Sequence, residues 1–162
     1  MKNKSLSSAR FRVLFVCTGN ICRSPTAHAI FARDVGRAGL AARVVVDSAG
    51  ISAWHAGETA DPRTVAAALR HGVDMSALRA RPFRPQDWQQ FDLILVAGYD
   101  HLAQLRRQMP ADWPGELVLM LAEAEVPDPY YGGEAGFEAV FALLEQASRG
   151  WLDKARAQLS AI

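Results

Sequence analysis

Apolar residues along the chain follow two rhythms. Val13-Leu14-Phe15-Val16, Val44-Val45-Val46 and Leu93-Ile94-Leu95-Val96 are continuously apolar, and Glu116 to Leu121 is mostly so. Short runs without polar alternation suit parallel strands covered on both faces. With their flanks they predict strands at Val13 to Val16, Arg43 to Asp47, Phe91 to Ala97 and Glu116 to Leu121. Between them the spacing turns helical. Ala27, Ile30, Phe31, Val35 and Ala38 form one stripe of a helix from Pro25 to about Leu40, weakened near Gly36 and Gly39. Asp61-Pro62 reads as a cap followed by proline at the first helical position, with Gly72 as the stop after His71. Gln86 to Gln90 predicts a short helix and Tyr99 to Gln108 a longer one, with Leu102 and Leu105 inward. Phe137, Val140, Phe141 and Leu144 give a terminal helix whose stripe extends to Trp151 and Leu152. Val73 to Pro85, with Arg79, Arg81 and Arg84, reads as an extended crossing.

Strands alternating with helices predict an α/β single domain: a four-stranded parallel sheet with helices on both faces. Ligands in such sheets bind outside the carboxyl ends of the strands.

Composition narrows this picture without redirecting it. A chain of 162 residues suits one domain, here expected over residues 11–162 behind a flexible tail at 1–10. The net charge of +1 gives no bulk attraction to nucleic acid or an anionic membrane. No apolar run reaches the roughly 18 residues that span a bilayer. Met1 to Ser8 has lysines but no apolar segment behind them, so no secretory signal is expected. The only two cysteines, Cys17 and Cys22, share one loop and cannot staple a fold, which points to a reducing cytoplasm. The four histidines show no metal-ligand spacing, and neither metal nor cofactor is expected.

The chemistry concentrates after the first strand. Cys17 opens a loop, Thr18-Gly19-Asn20-Ile21-Cys22, that Arg23 and Ser24 close, with Pro25 following. Ser24 reads as the helix N-cap and Pro25 as its first residue. Backbone N–H groups curled at a helix N-terminus hold an anion, and an arginine fork matches two phosphate oxygens at once. The same surroundings favour a thiolate at Cys17, so this phosphate-binding loop carries a nucleophile for phosphorus. A leaving oxygen then needs a proton donor, and Asp128 between Pro127 and Pro129 is the best candidate.

These residues resemble a family. Cys17-Thr18-Gly19-Asn20-Ile21-Cys22-Arg23-Ser24-Pro25-Thr26-Ala27, with the late Asp128-Pro129-Tyr130-Tyr131-Gly132, is similar to the low-molecular-weight protein tyrosine phosphatases, in a bacterial-type form. The likeness runs from about Arg12 to Trp151 and includes Asp47-Ser48-Ala49-Gly50, Trp54-His55, Asp61-Pro62-Arg63 and Phe91-Asp92-Leu93-Ile94-Leu95. It implies hydrolysis of phosphotyrosine through a phosphocysteine on Cys17, with Arg23 clamping the phosphoryl oxygens. Ser24 would hydrogen-bond the thiolate, and Asn20, with Ser48, would hold the loop in a partly left-handed shape. Asp128 would act as acid and then base. Trp54, Tyr130 and Tyr131 would wall a phosphotyrosine ring, and Ile21 would favour that substrate over phosphoarginine. Cys22 would either pack under the loop or form a protective disulfide with Cys17. The implied partner is a phosphotyrosine-bearing protein such as a bacterial tyrosine kinase. Three departures stand out: Ala97-Gly98 where the family has Met-Asp, Pro82 after Ala80-Arg81 where it has glutamine, and Leu78 where some members carry histidine. Two other readings share the loop: a non-catalytic phosphopeptide-binding module, and an arsenate reductase, which needs further cysteines to relay a disulfide.

Overall fold

The computed structural model describes residues 10–130 and 132–161. The expected tail therefore lies outside the described residues except for Arg10, whose Nε donates to the carbonyl of Ala42 at 3.3 Å. In chain order the elements are β1 (Phe11–Cys17), α1 (Arg23–Arg37), β2 (Val44–Gly50), α2 (Pro62–Arg70), α3 (Asp87–Gln90), β3 (Leu93–Val96), α4 (Tyr99–Gln108), β4 (Glu116–Leu119) and α5 (Glu134–Ala161). The strands form one four-stranded sheet in the order β2-β1-β3-β4, every pair parallel.

Side-chain alternation along β1 explains why its run is unbroken. Val13, Phe15 and Cys17 face a core shared with α1 and α5, whereas Leu14 and Val16 face a second core under α3 and α4. In the first core Phe15, Phe31 and Trp151 pack with ring centroids 4.8–6.0 Å apart, and the Trp151 indole N–H donates to the carbonyl of Met120 at 3.0 Å. Each such ring contributes about 2–3 kcal/mol by burial. In the second, Trp88 packs edge-on against Phe83 and Trp113.

The chain leaves β1 for β2 on one side and returns to β3 on the other. That reversal opens a crevice at the carboxyl ends of β1 and β3. The loop 18–22 leaves β1 there, and the N-terminus of α4 follows β3 beside it.

Several boundaries move from their expected places. β2 does not stop at Asp47; it runs on through Ser48-Ala49-Gly50, with Gly50 opposite Cys17. A Cβ on Gly50 would lie 2.8 Å from the Thr18 carbonyl oxygen, so only glycine lets the strand pass under the loop. α1 ends at Arg37 rather than near Leu40, β3 covers only Leu93–Val96, and β4 stops at Leu119. The 73–85 crossing holds no helix or named strand; it buries Val73, Met75 and Ala80 and makes isolated bridges, Thr59 with Arg79 and Gly50 with Pro82.

Candidate active site

The loop after β1 is held open by a relay that begins at Asn20. Its backbone is left-handed (φ 58°), a region asparagine tolerates better than most residues. Its side-chain amide donates to Ser24 Oγ at 2.7 Å, and its carbonyl accepts from the Arg81 backbone N–H at 3.0 Å. Arg81 is fixed in turn by paired contacts to buried Asp87 (3.0 and 3.1 Å) and to Asp47 (3.2 and 3.0 Å). The expected Asn20–Ser48 contact does not form. Ser48 instead meets His28 Nδ1 at 3.0 Å, and burial pushes that imidazole below its ordinary value.

Ser24 is not the helix cap. α1 begins two residues earlier than expected, at Arg23 rather than Pro25, and Cys22 occupies the cap position without a side-chain bond. The reason is chemical. The Ser24 hydroxyl lies 3.0 Å from Cys17 Sγ, and its backbone N–H donates to the same sulfur at 3.4 Å. A capped terminus would close the N–H groups that the loop leaves open toward the sulfur.

Arg23 is 8% exposed and held on two sides. Nη1 donates to the Val126 carbonyl at 3.2 Å and Nη2 to Thr18 Oγ1 at 3.3 Å. Nη2 also lies 3.6 Å from Asp128 Oδ2, the contact that joins the loop to the late segment. Asp128 Oδ1 accepts from the Tyr130 N–H at 3.1 Å. Cys17, Thr18, Gly19, Ile21, Cys22, Arg23, Trp54, Asp128 and Tyr130 line one cavity of about 340 Å³ together with Ser52 and His55. Trp54 stands 85% exposed at its mouth. Asn20 and Ser24 lie behind the lining, and Tyr131 lies outside the described residues. Both thiols are free, and burial pushes Cys22 up to about 12, so it stays protonated at neutral pH.

Other residues in the site had no role assigned from sequence. Arg63 pairs with Asp61 at 2.8 Å, donates to the Tyr130 carbonyl at 2.9 Å and lies over the Tyr130 and Phe137 rings at 5.6 and 4.6 Å. It thereby ties α2 to the segment bearing Asp128. The signal was present in Asp61-Pro62-Arg63, but only as part of a resemblance. Glu125 Oε2 accepts the Tyr99 N–H at 2.9 Å, and a Cβ on Gly98 would come within 2.7 Å of that oxygen. The carboxylate absent at position 98 thus arrives at the start of α4 from the late loop.

His101, on the first turn of α4 and 6% exposed, is pushed down to about 4, chiefly by burial and then by Arg23. Between about pH 6.5 and 4 the unfolded chain therefore binds a proton that the folded one refuses. Stability falls as pH drops through that window. Urea midpoints taken across it are expected to fall less steeply in His101→Gln than in the unmodified protein.

Comparisons with known proteins identify the family and the fold. A family model described as low molecular weight phosphotyrosine protein phosphatase matches residues 12–161. A low molecular weight protein-tyrosine-phosphatase of Streptomyces coelicolor is 43% identical over 158 residues, covering 92% of this chain and 96% of that protein. A protein tyrosine phosphatase from Entamoeba histolytica, solved with Hepes in its active site, superposes with a TM-score of 0.87 at 33% identity, covering 91% and 98% of the two chains. Vibrio vulnificus Wzb in complex with benzylphosphonate gives 0.79 at 28% identity, covering 90% and 99%. The chain belongs to the low molecular weight phosphotyrosine protein phosphatase family.

Proposed function

We propose that this protein-tyrosine phosphatase hydrolyses aryl phosphate monoesters through a phosphocysteine on Cys17. The observation that carries the reading is one cavity holding the Cys17 sulfur, the Arg23 fork and the Asp128 carboxyl. The Cys17 thiolate attacks phosphorus; the S–P bond forms as the ester P–O bond breaks. Arg23 and the loop N–H groups take up charge on the phosphoryl oxygens. Asp128 gives its proton to the departing phenolic oxygen. A water then gives a proton to the Asp128 carboxylate and attacks phosphorus, the S–P bond breaks, and orthophosphate leaves. Ser24 donates to the sulfur while it carries charge, which stabilises it as a nucleophile and as a leaving group.

Trp54 and Tyr130 wall the aromatic ring, and Cys17, only 2% exposed, favours the longer phosphotyrosine over phosphoserine. Benzylphosphonate bound to the Vibrio relative is a ligand of this class. The substrate is then a phosphotyrosine-bearing protein, with a bacterial tyrosine kinase as a fitting example, and a reducing cytoplasm suits the free thiols. Arsenate reduction would need cysteines beyond the two present.

The test is turnover of phosphotyrosine, phosphoserine and phosphoarginine peptides of one sequence. The expected kcat/KM for phosphotyrosine exceeds that of each of the others by at least about thirtyfold, within the range by which an apolar pocket discriminates on shape. Equal turnover of phosphoserine would remove the depth argument.

A further inference from the structure

His101 lies 83 positions from Thr18 in sequence, yet its Nε2 sits 2.8 Å from Thr18 Oγ1. The direction of that bond follows from the other ring nitrogen. The Gly98 backbone N–H, 3.0 Å from Nδ1, can only donate, so Nδ1 carries no proton. A neutral imidazole then bears its proton on Nε2 and donates it to Thr18. Burial and the neighbouring Arg23 keep the ring neutral at physiological pH. Arg23 Nη2, 3.3 Å from the same hydroxyl oxygen, can also only donate. Two donors thus occupy both lone pairs of Thr18 Oγ1. What remains to the hydroxyl is its own proton, and Thr18 is exposed on the wall of the cavity that holds Cys17 and Arg23.

We infer that His101 is a positioning residue that makes Thr18 an obligate hydrogen-bond donor to a phosphoryl oxygen seated in the loop. The inference rests on the phosphoryl-transfer reading of the site and adds a side-chain donor to its backbone N–H groups and Arg23. A free threonine hydroxyl rotates and can present a lone pair to an anion; this one cannot without giving up both donors. The same bond steadies Arg23, whose Nη1 is held by the Val126 carbonyl while Nη2 rests on Thr18.

Two amide replacements of His101 separate this role from a structural one. Asparagine places its carbonyl where Nδ1 stands, keeps the Gly98 N–H satisfied and cannot reach Thr18. Glutamine places its NH2 near Nε2 and can still donate to Thr18. The probe is inorganic phosphate, followed by calorimetry at neutral pH. The companion readout is kcat/KM for p-nitrophenyl phosphate. Thr18→Val is expected to weaken phosphate binding about tenfold, the effect of one hydrogen bond to a charged oxygen. His101→Asn should weaken it about fivefold, and His101→Gln should stay within about twofold of the unmodified protein. On a Thr18→Val background, His101→Asn should add less than about twofold, because the atom it acts through is gone. If His101 serves only to satisfy Gly98, the order reverses, with asparagine tolerated and glutamine not; that result overturns the proposal. So does an equal cost of His101→Asn with and without the Thr18 hydroxyl. Should the asparagine variant fail to fold, unchanged phosphate binding by Thr18→Val overturns it as well. Failure of the phosphatase reading would look different: unmodified protein that binds phosphate but releases none from the aryl ester.

Discussion

Serine in place of Cys17 is expected to lower kcat for p-nitrophenyl phosphate by more than about ten-thousandfold, the usual cost of removing a covalent nucleophile. The substitution changes one atom. Cys17 ends β1 in register with Gly50 and is 2% exposed, so the smaller oxygen stays in the same backbone frame. What is lost is a group that ionises readily and attacks phosphorus well. A serine hydroxyl would have no base beside it among the described residues: the hydrogen-bond contacts of the sulfur are the Ser24 hydroxyl and N–H, which stabilise charge but accept no proton usefully. Binding should survive, because the Arg23 fork and the loop N–H groups are untouched. Calorimetry with inorganic phosphate is expected to show affinity equal to or above that of the unmodified protein, since a neutral hydroxyl repels the anion less than a thiolate does. Retained turnover in the purified serine variant would remove Cys17 from the mechanism.

The sheet was legible because strands buried on both faces write a single unbroken apolar signal, as β1 and β3 do. Its less apolar ends were not. Ser48-Ala49-Gly50 has the composition of a loop, yet it is strand because its job is to run beneath one. The start of α1 misled for a related reason. A serine followed by proline signals a capped helix only when its side chain turns back to the terminal N–H groups; here both the Ser24 hydroxyl and its N–H turn to the Cys17 sulfur. The loop and Asp128 could be named because their spacing and neighbours are local. The distant partners that hold them could not. Thr18 meets His101 across 83 positions, Arg63 meets Tyr130 across 67, Asn20 meets Arg81 across 61, and Glu125 meets Tyr99 across 26. Such pairs depend on how the strands are ordered, which no local pattern encodes. The departures at positions 82 and 98 show the same limit. Pro82 lacks an N–H, but the bond that Asn20 needs comes from Arg81. Gly98 lacks a carboxylate, and Glu125 supplies one to the same helix end.

Asparagine at position 128 is expected to reduce kcat for phenyl phosphate by about 10²–10³-fold, the range for loss of a positioned proton donor. The change is close to isosteric and keeps an oxygen for the Tyr130 N–H, which now lies 3.1 Å from Oδ1. Arg63 continues to hold the segment through the Tyr130 carbonyl, so the cavity should keep its shape. The loss should depend on the leaving group. Phenolate is a poor leaving group and needs the proton; p-nitrophenolate is stable without it, so its expulsion should be slowed far less. Breakdown of the phosphocysteine still requires a base for water whatever the ester was. With p-nitrophenyl phosphate the variant is therefore expected to release one equivalent of p-nitrophenol per active site in a rapid burst and then turn over slowly. Rapid-mixing absorbance measurements would read both phases, and quenching in alkaline denaturant, where a cysteine S-phosphate is stable, should trap phosphate on Cys17. If Asp128 acted only by its charge beside Arg23, 3.6 Å away, both esters would slow by the same factor and no burst would appear. A uniform loss without a burst would therefore assign Asp128 to holding Arg23 and leave the proton donor to be found elsewhere on the cavity wall.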